Sequence, residues 1–290
     1  MNFANNNNHK DLMTKIFCII DDLLQIINTK KIWVKSWRKA SLWASEVITM
    51  TIFWKLLWYV KLKWIYWHMK NYFHQFFKMP SYKTFVELSN KYSLEWIKCL
   101  SLLINMNCGN IKQNLYFIDS SKIAVCWNKR IFNHKVAKWF AQRWKSTMWW
   151  FFGFKLHIIT DINWNLLRVK VTSGNIDDRN PVLSLTKELR WILVWDAWYL
   201  WEELRKKLLQ NWIQFMTWVR KNMKKLMTKW QHKLLKLRQI VESAFSVMKW
   251  NNNLVSSLAR SIDWHFARIS YALLAYTIWK QLNSDDLAIS

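Results

Sequence analysis

Apolar residues in the first hundred positions recur at helical spacing. Leu12, Ile16, Ile19, Ile20 and Leu23 fall on one helix face, and a second apolar series runs from Ser41 to Phe77. Met79-Pro80-Ser81-Tyr82 interrupts it, and another helix begins near Thr84. Residues 9 to about 105 therefore read as helical. The period changes after Asn110. Asn114-Leu-Tyr-Phe-Ile-Asp119 is a short β-type run ending in a carboxylate. Phe151 to Ile159 and Leu166 to Thr172 alternate in the strand manner around a turn at Asn163-Trp164. A turn at Ser173-Gly174-Asn175 leads to a helix opening at Asp177-Asp178, with Pro181 in its first turn. Ile192 to Val194 is a buried strand running into Asp196. Trp201 to Leu209 reads as a helix, Ile213 to Val219 as a strand, and Lys233 to Lys249 as one long amphipathic helix. The order β-β-β-α-β-α-β-α predicts an α/β domain after a helical front part.

Charge narrows the partner. Lys and Arg number 44 against 18 acids, a net charge of +26. Such an excess opposes compaction and suits a polyanion, with DNA ahead of an anionic membrane surface. The most apolar stretch, Val47 to Tyr66, carries Lys55, Lys61 and Lys63, which speaks for buried helices rather than a bilayer span. Cys18, Cys99, Cys108 and Cys126 are scattered without zinc spacing, and the polar start MNFANNNNHKDL lacks a signal core. Both fit reduced thiols in the cytoplasm.

Composition adds an anomaly: 24 Trp against 3 Gly. Trp164 occupies a hairpin slot that asks for positive φ, and Trp212 follows a helical run where Gly or Asn usually caps. We read many of these Trp codons as UGA, decoded as glycine in the source organism, as in some bacterial lineages.

Three acids carry the candidate chemistry. Asp119 and Asp196 close β-type runs, and Glu242 sits among Ile240, Val241, Ala244 and Phe245 on the last long helix. Carboxylates converging from strand ends and a packed helix are hard oxygen ligands suited to Mg²⁺ or Mn²⁺, and two such ions promote phosphodiester chemistry. Singly, each acid reads better as a turn, cap or surface residue; the strand-end, strand-end and helix arrangement of the three together is what points to chemistry.

The second half resembles the DDE-type transposases of bacterial insertion sequences. The residues carrying the likeness are Tyr116 to Ser120, Phe151 to His157, Thr172 to Arg179, Trp195 to Tyr199 and Arg238 to Lys249. The family's second acid usually lies in Gly-Asp-x-Gly-Tyr, where this chain has Trp195-Asp196-Ala-Trp198-Tyr199. Trp at both Gly places agrees with the recoding reading, whereas genuine indoles there would crowd Asp196. The family's Tyr-Arg-Glu-Lys pattern keeps Arg238, Glu242 and Lys249 at its spacing, with Leu235 in place of the Tyr.

The resemblance implies a helical, DNA-binding N-terminal region over residues 1–108. It implies a ribonuclease-H-like catalytic domain over 109–285, with a mixed five-stranded sheet flanked by helices. It further implies strand cleavage at transposon ends by water and strand transfer into target DNA. Asp119 and Asp196 would bridge two ions, probed as Mg²⁺ or Mn²⁺, Glu242 would complete the second, and Arg238 and Lys249 would hold phosphates. A dimer or larger assembly on DNA is expected, with no membrane partner. His134, Lys135, Arg143 and Lys145 are further candidate phosphate contacts, as are Arg220, Lys221, Lys224 and Lys225; a solvated basic loop accounts for them equally well. Asp177 and Asp178 read better as helix caps than as ligands, and His157 as a packed core residue. The alternatives are a ribonuclease-H-like nuclease and a transposon-derived DNA-binding protein without catalysis.

Overall fold

The structure, a computed structural model, describes residues 6–28, 41–57, 61–109, 114–135, 137–145, 149–195, 202–217, 228–250, 254 and 261–288. The chain forms two compact units. The first gathers Met1–Leu103, Met248–Leu254 and Ile262–Ser290, and the second Ile104–Val247 and Val255–Ser261.

The first unit is helical, as its apolar period predicts. It contains α1 (Asn6–Asn28), α2 (Ala44–Leu56), α3 (Leu62–Tyr72), α4 (Tyr82–Lys91), most of α5 (Ser93–Gly109) and α10 (Ile262–Ala288). Ile16 and Ile20 of α1, on the predicted face, are fully buried. The break at Pro80 has a local cause: Ser81 caps α4 by accepting the Thr84 N–H at 3.2 Å, and Tyr66 donates to the Pro80 carbonyl at 2.9 Å. α2 is buried from Val47 through Lys55, and none of the described helices is long and apolar enough to cross a membrane. Lys55 lies inside this core; burial, and then the nearby Arg268 charge, push its ammonium down to about 7.

A boundary at 108/109 would assign the chain's end to the sheet domain, whereas α10 packs on α2 within the helical unit. The reason is its residue pattern. Tyr271 through Ile278 are buried on every side, so this segment needs helical neighbours around it rather than one sheet face.

The second unit is built on a six-stranded mixed sheet: β1 (Leu115–Cys126), β2 (Gln142–Lys145), β3 (Trp150–Thr160), β4 (Leu166–Ser173), β5 (Trp191–Trp195) and β6 (Ile213–Met216). The spatial order is β2-β3-β1-β5-β6, and β4 shares the β3 edge with β2. β1 is antiparallel to β3 and parallel to β5, which is parallel to β6. The extra strand relative to the expected five is β2, whose four residues are all exposed. With α6 (Val182–Leu185), α7 (Glu202–Gln210), α8 (Lys229–Lys236) and most of α9 (Gln239–Trp250), this is the mixed sheet with flanking helices expected of the ribonuclease-H-like class. One sheet face carries a core of Tyr116, Ile118, Ile159, Leu193 and Trp195, closed by Val182, Leu185 and Leu208.

Three local expectations change. The helix expected at Asp177 is a series of turns, and only Val182–Leu185 is helical, with Pro181 as its N-cap. The strand expected over 213–219 is described as Ile213–Met216, and residues from 218 lie outside the described set. The long helix over 233–249 is two helices. Leu237 and Arg238 donate to the Leu234 and Leu235 carbonyls, and Ile240 and Val241 to those of Leu237 and Arg238, so i→i−3 bonds tighten the chain at the break.

Gly153 and Gly174 hold the place where β2 and β4 meet. Gly174 N–H donates to the Gly153 carbonyl at 2.9 Å. A Cβ on Gly153 would run into the Ile123 carbonyl oxygen and lie 3.0 Å from Ala124 Cα, both rigid backbone atoms of β1. Gly153→Ala is therefore expected to cost about 3 kcal/mol. Gly109→Ala, which meets open space at the end of α5, is expected to be near neutral. Urea melts of both variants check the contrast.

The backbone also bears on the Trp anomaly. Among the described residues, five that are not glycine have positive φ: Ala137, Trp164 (68°), Glu188, Trp191 (87°) and Trp212 (60°). Trp164 and Trp212 are the two positions where the sequence alone asks for glycine. Trp191 is a third.

Candidate active site

Asp119 lies within β1 rather than at its end, because the strand continues through Ser120-Ser-Lys-Ile-Ala-Val-Cys126. Pairing explains the length: β3 runs antiparallel beside it from Thr160 opposite Phe117 to Phe152 opposite Cys126. Asp119 is half-buried opposite Ile158, and its Oδ1 accepts the Ser120 N–H at 2.8 Å. On the other side β5 matches β1 residue for residue, ending with Phe117 opposite Val194 and Ile118 opposite Trp195. Asp196 lies outside the described residues, as do Trp198 and the basic run Arg220, Lys221, Lys224 and Lys225.

The pleat decides what Trp195 does. It shares its face with Ile118, packs 6% exposed in the core and meets Phe215 edge-on with ring centroids 5.8 Å apart. Asp119, one residue after Ile118, belongs to the opposite face. A bulky residue at 195 therefore stays off the face that carries Asp119. The β5 backbone there is extended, so at 195 the glycine reading rests on the motif alone.

Glu242 stands in the first turn of α9, exposed, and forms an ion pair with Arg238 at 2.5 Å. Arg238 belongs to the turn before α9, so the pair spans a helix start. Burial of Val241, Ala244 and Phe245 fixes the rotation of this helix. Lys249, half-buried, is in the last turn of the same helix. No group of three or more His, Cys, Asp or Glu residues suited to one metal ion occurs among the described residues.

The other candidates separate by context. His134 and Lys135 follow the 3₁₀ turn Asn128–Arg130, and Lys135 is exposed. Arg143 and Lys145 are exposed on β2. Asp177 accepts from the Arg179 N–H at 2.9 Å and pairs with its guanidinium, which holds the Asp177 carboxyl below the usual carboxylate range. Asp178 pairs with Lys155 at 3.0 Å. Both acids thus secure the turn after β4, although by turn contacts rather than a helix cap. His157 is buried and hydrogen-bonded to Thr172 at 2.8 Å. Burial, opposed by Asp178 and assisted by Lys155 and Lys170, pushes its imidazole down to about 4, so it is neutral near pH 7.

Sequence reasoning passed over Lys155. It donates to the Ile176 carbonyl at 2.8 Å as well as pairing with Asp178, which ties β3 to the turn after β4. The alternation Phe154-Lys155-Leu156-His157 carried the signal, since it puts Lys155 and His157 on one face.

Comparison with known proteins agrees with this layout. The family model described as "Transposase DDE domain" matches residues 109–262. No curated protein matches the chain, and no solved structure does. The matched segment holds the mixed sheet, the acid-bearing β1 and Glu242, and it covers more than half of the chain; the protein belongs to the DDE-domain family of transposases.

Proposed function

We propose that the chain cuts DNA at transposon ends and joins the freed ends to target DNA, with Asp119, Asp196 and Glu242 as metal-binding carboxylates. The observation that carries this reading is the parallel β1–β5 register. Its last pair is Ile118 with Trp195; Asp119 follows Ile118 within β1, and Asp196 is the next residue of the sequence after Trp195. The register supports the pairing of these two acids in one site, because each follows in sequence a member of the same matched pair.

Three carboxylates form a donor set of hard oxygens, which fits Mg²⁺ or Mn²⁺ and not a softer ion. Asp119 and Asp196 would hold two ions between them, and Glu242 would complete the second. Bound there, such ions lower the pKa of water and neutralise charge on the phosphodiester. The chain's own residues do the rest. Arg238, poised on Glu242, and Lys249 hold phosphate oxygens, and His134, Lys135, Arg143 and Lys145 hold the DNA backbone. In the first reaction water adds to phosphorus and the 3′-oxygen leaves as a hydroxyl. In the second that hydroxyl adds to a target phosphodiester and displaces its 3′-oxygen. The net charge of +26 supports a DNA partner. Holding two ends together calls for at least a dimer.

The test uses linear DNA bearing the termini that flank the element's gene, with Mg²⁺. Cleavage followed by joining supports the proposal. Cleavage without joining makes the protein a nuclease, and binding without cleavage makes it a transposon-derived DNA-binding protein.

A further inference from the structure

The edge strand β2 carries its two cations on the same sheet face as Asp119. β3 pairs Asp119 with Ile158, Arg143 with Phe152 and Lys145 with Trp150. Directly opposed residues share a face, and positions 158, 152 and 150 of one strand are separated by even steps. Side-chain contacts agree with the pleat. Arg143 lies over the Trp150 ring at 4.8 Å, while Trp144, on the other face, sits under Lys155 at 5.9 Å.

The two faces differ in what their cations do. On the far face Lys155 is committed to Asp178 and Lys170 to Ser184. On the Asp119 face Arg143 and Lys145 are exposed, and neither makes an ion pair among the described residues. Edge lysines also serve to block sheet-to-sheet pairing, but that task does not depend on which face they occupy.

Six and eight residues along β3, with two strand spacings across, put Arg143 and Lys145 about 22–28 Å from Asp119. Duplex DNA advances 3.4 Å per base pair, so this span corresponds to about six to eight base pairs. We propose that β2 is a clamp for duplex DNA, with Arg143 and Lys145 gripping backbone phosphates about six to eight base pairs from the phosphate that is cut. The clamp builds on the assignment of Asp119 to the cleavage site and adds where the DNA arm lies.

The experiment is phosphate-ethylation interference on end-bearing DNA, comparing the parent with R143A/K145A. The parent is expected to show interference six to eight base pairs from the cut. The double variant is expected to lose that window alone and to bind with a log K against log salt slope smaller by about two. R143K/K145R, which keeps both charges, is expected to retain the window. A window that persists in R143A/K145A, or a loss centred on the cut phosphate itself, overturns the clamp. D119N assayed in parallel keeps the two ideas apart: cleavage by D119N at the parent's rate defeats the assignment of the cleavage site, whatever happens to the window.

Discussion

Replacing Asp119 by Asn is expected to lower Mg²⁺-dependent cleavage on the order of 10³-fold and to leave DNA binding at the parent's level. The substitution keeps the shape and a carbonyl oxygen able to accept the Ser120 N–H, which the carboxylate accepts at 2.8 Å. It removes the negative charge that a divalent ion requires. Asp119 sits in the central strand, held by β3 on one side and β5 on the other, so the backbone has little freedom to move another ligand into its place. Single-turnover cleavage and gel-shift titration on one preparation check the split. A parallel loss of binding and of thermal stability would mean that the strand, not the chemistry, had been damaged.

The second large effect concerns stability. Trp164, Trp191 and Trp212 all have φ between 60° and 87°. A left-handed backbone costs an L side chain about 1–2 kcal/mol, and glycine avoids that cost while gaining unfolded-state entropy that returns part of the difference. Little burial is lost at two of the three positions, because Trp191 is 59% and Trp212 78% exposed, whereas Trp164 is half-buried. The triple replacement by Gly is therefore expected to raise stability by about 2–3 kcal/mol. Each turn supplies its own bonds. Asp161 accepts the Asn163 and Asn165 N–H groups around Trp164, and Trp212 donates to the Leu209 carbonyl after α7. Denaturant melts of the two proteins measure the gain, and no gain would detach the Trp excess from backbone demand. Mass spectrometry of the protein from its natural host is expected to find Gly at these three positions, and peptides bearing Trp there would end the recoding reading.

Much of the architecture was readable from periodicity. The change from a 3.6-residue to a two-residue repeat near Asn110 matches the change from helical unit to sheet, and the Asp161–Asn165 hairpin falls where its Asn and Asp residues predict. β2 was invisible because four exposed residues, Gln142-Arg-Trp-Lys145, have no buried face to impose alternation. β1 looked complete at Asp119 because Ser120-Ser121-Lys122 reads as a polar turn. Pairing with β3 makes it a central strand instead. The helix break at Leu237-Arg238 contains neither Gly nor Pro and left no local mark.

The site was legible in part. The Arg238–Glu242 spacing brings those two side chains together, and they meet as an ion pair with Glu242 exposed, while strand logic put Asp119 at the end of a β run that in fact continues to Cys126. Whether Asp119 and Arg143 share a face was beyond the sequence, since it depends on registers between strands far apart in the chain.

If Asp119 and Asp196 hold the metal for DNA cleavage, the sharpest readout comes from a ligand swap at Asp196. The measurement is end-DNA cleavage by Asp196→Cys in Mg²⁺ and then in Mn²⁺, which accepts a sulfur ligand more readily. No cleavage is expected with Mg²⁺ and its return is expected with Mn²⁺, with DNA binding equal to the parent's in both. Cleavage in Mg²⁺ at the parent's rate would contradict the assignment.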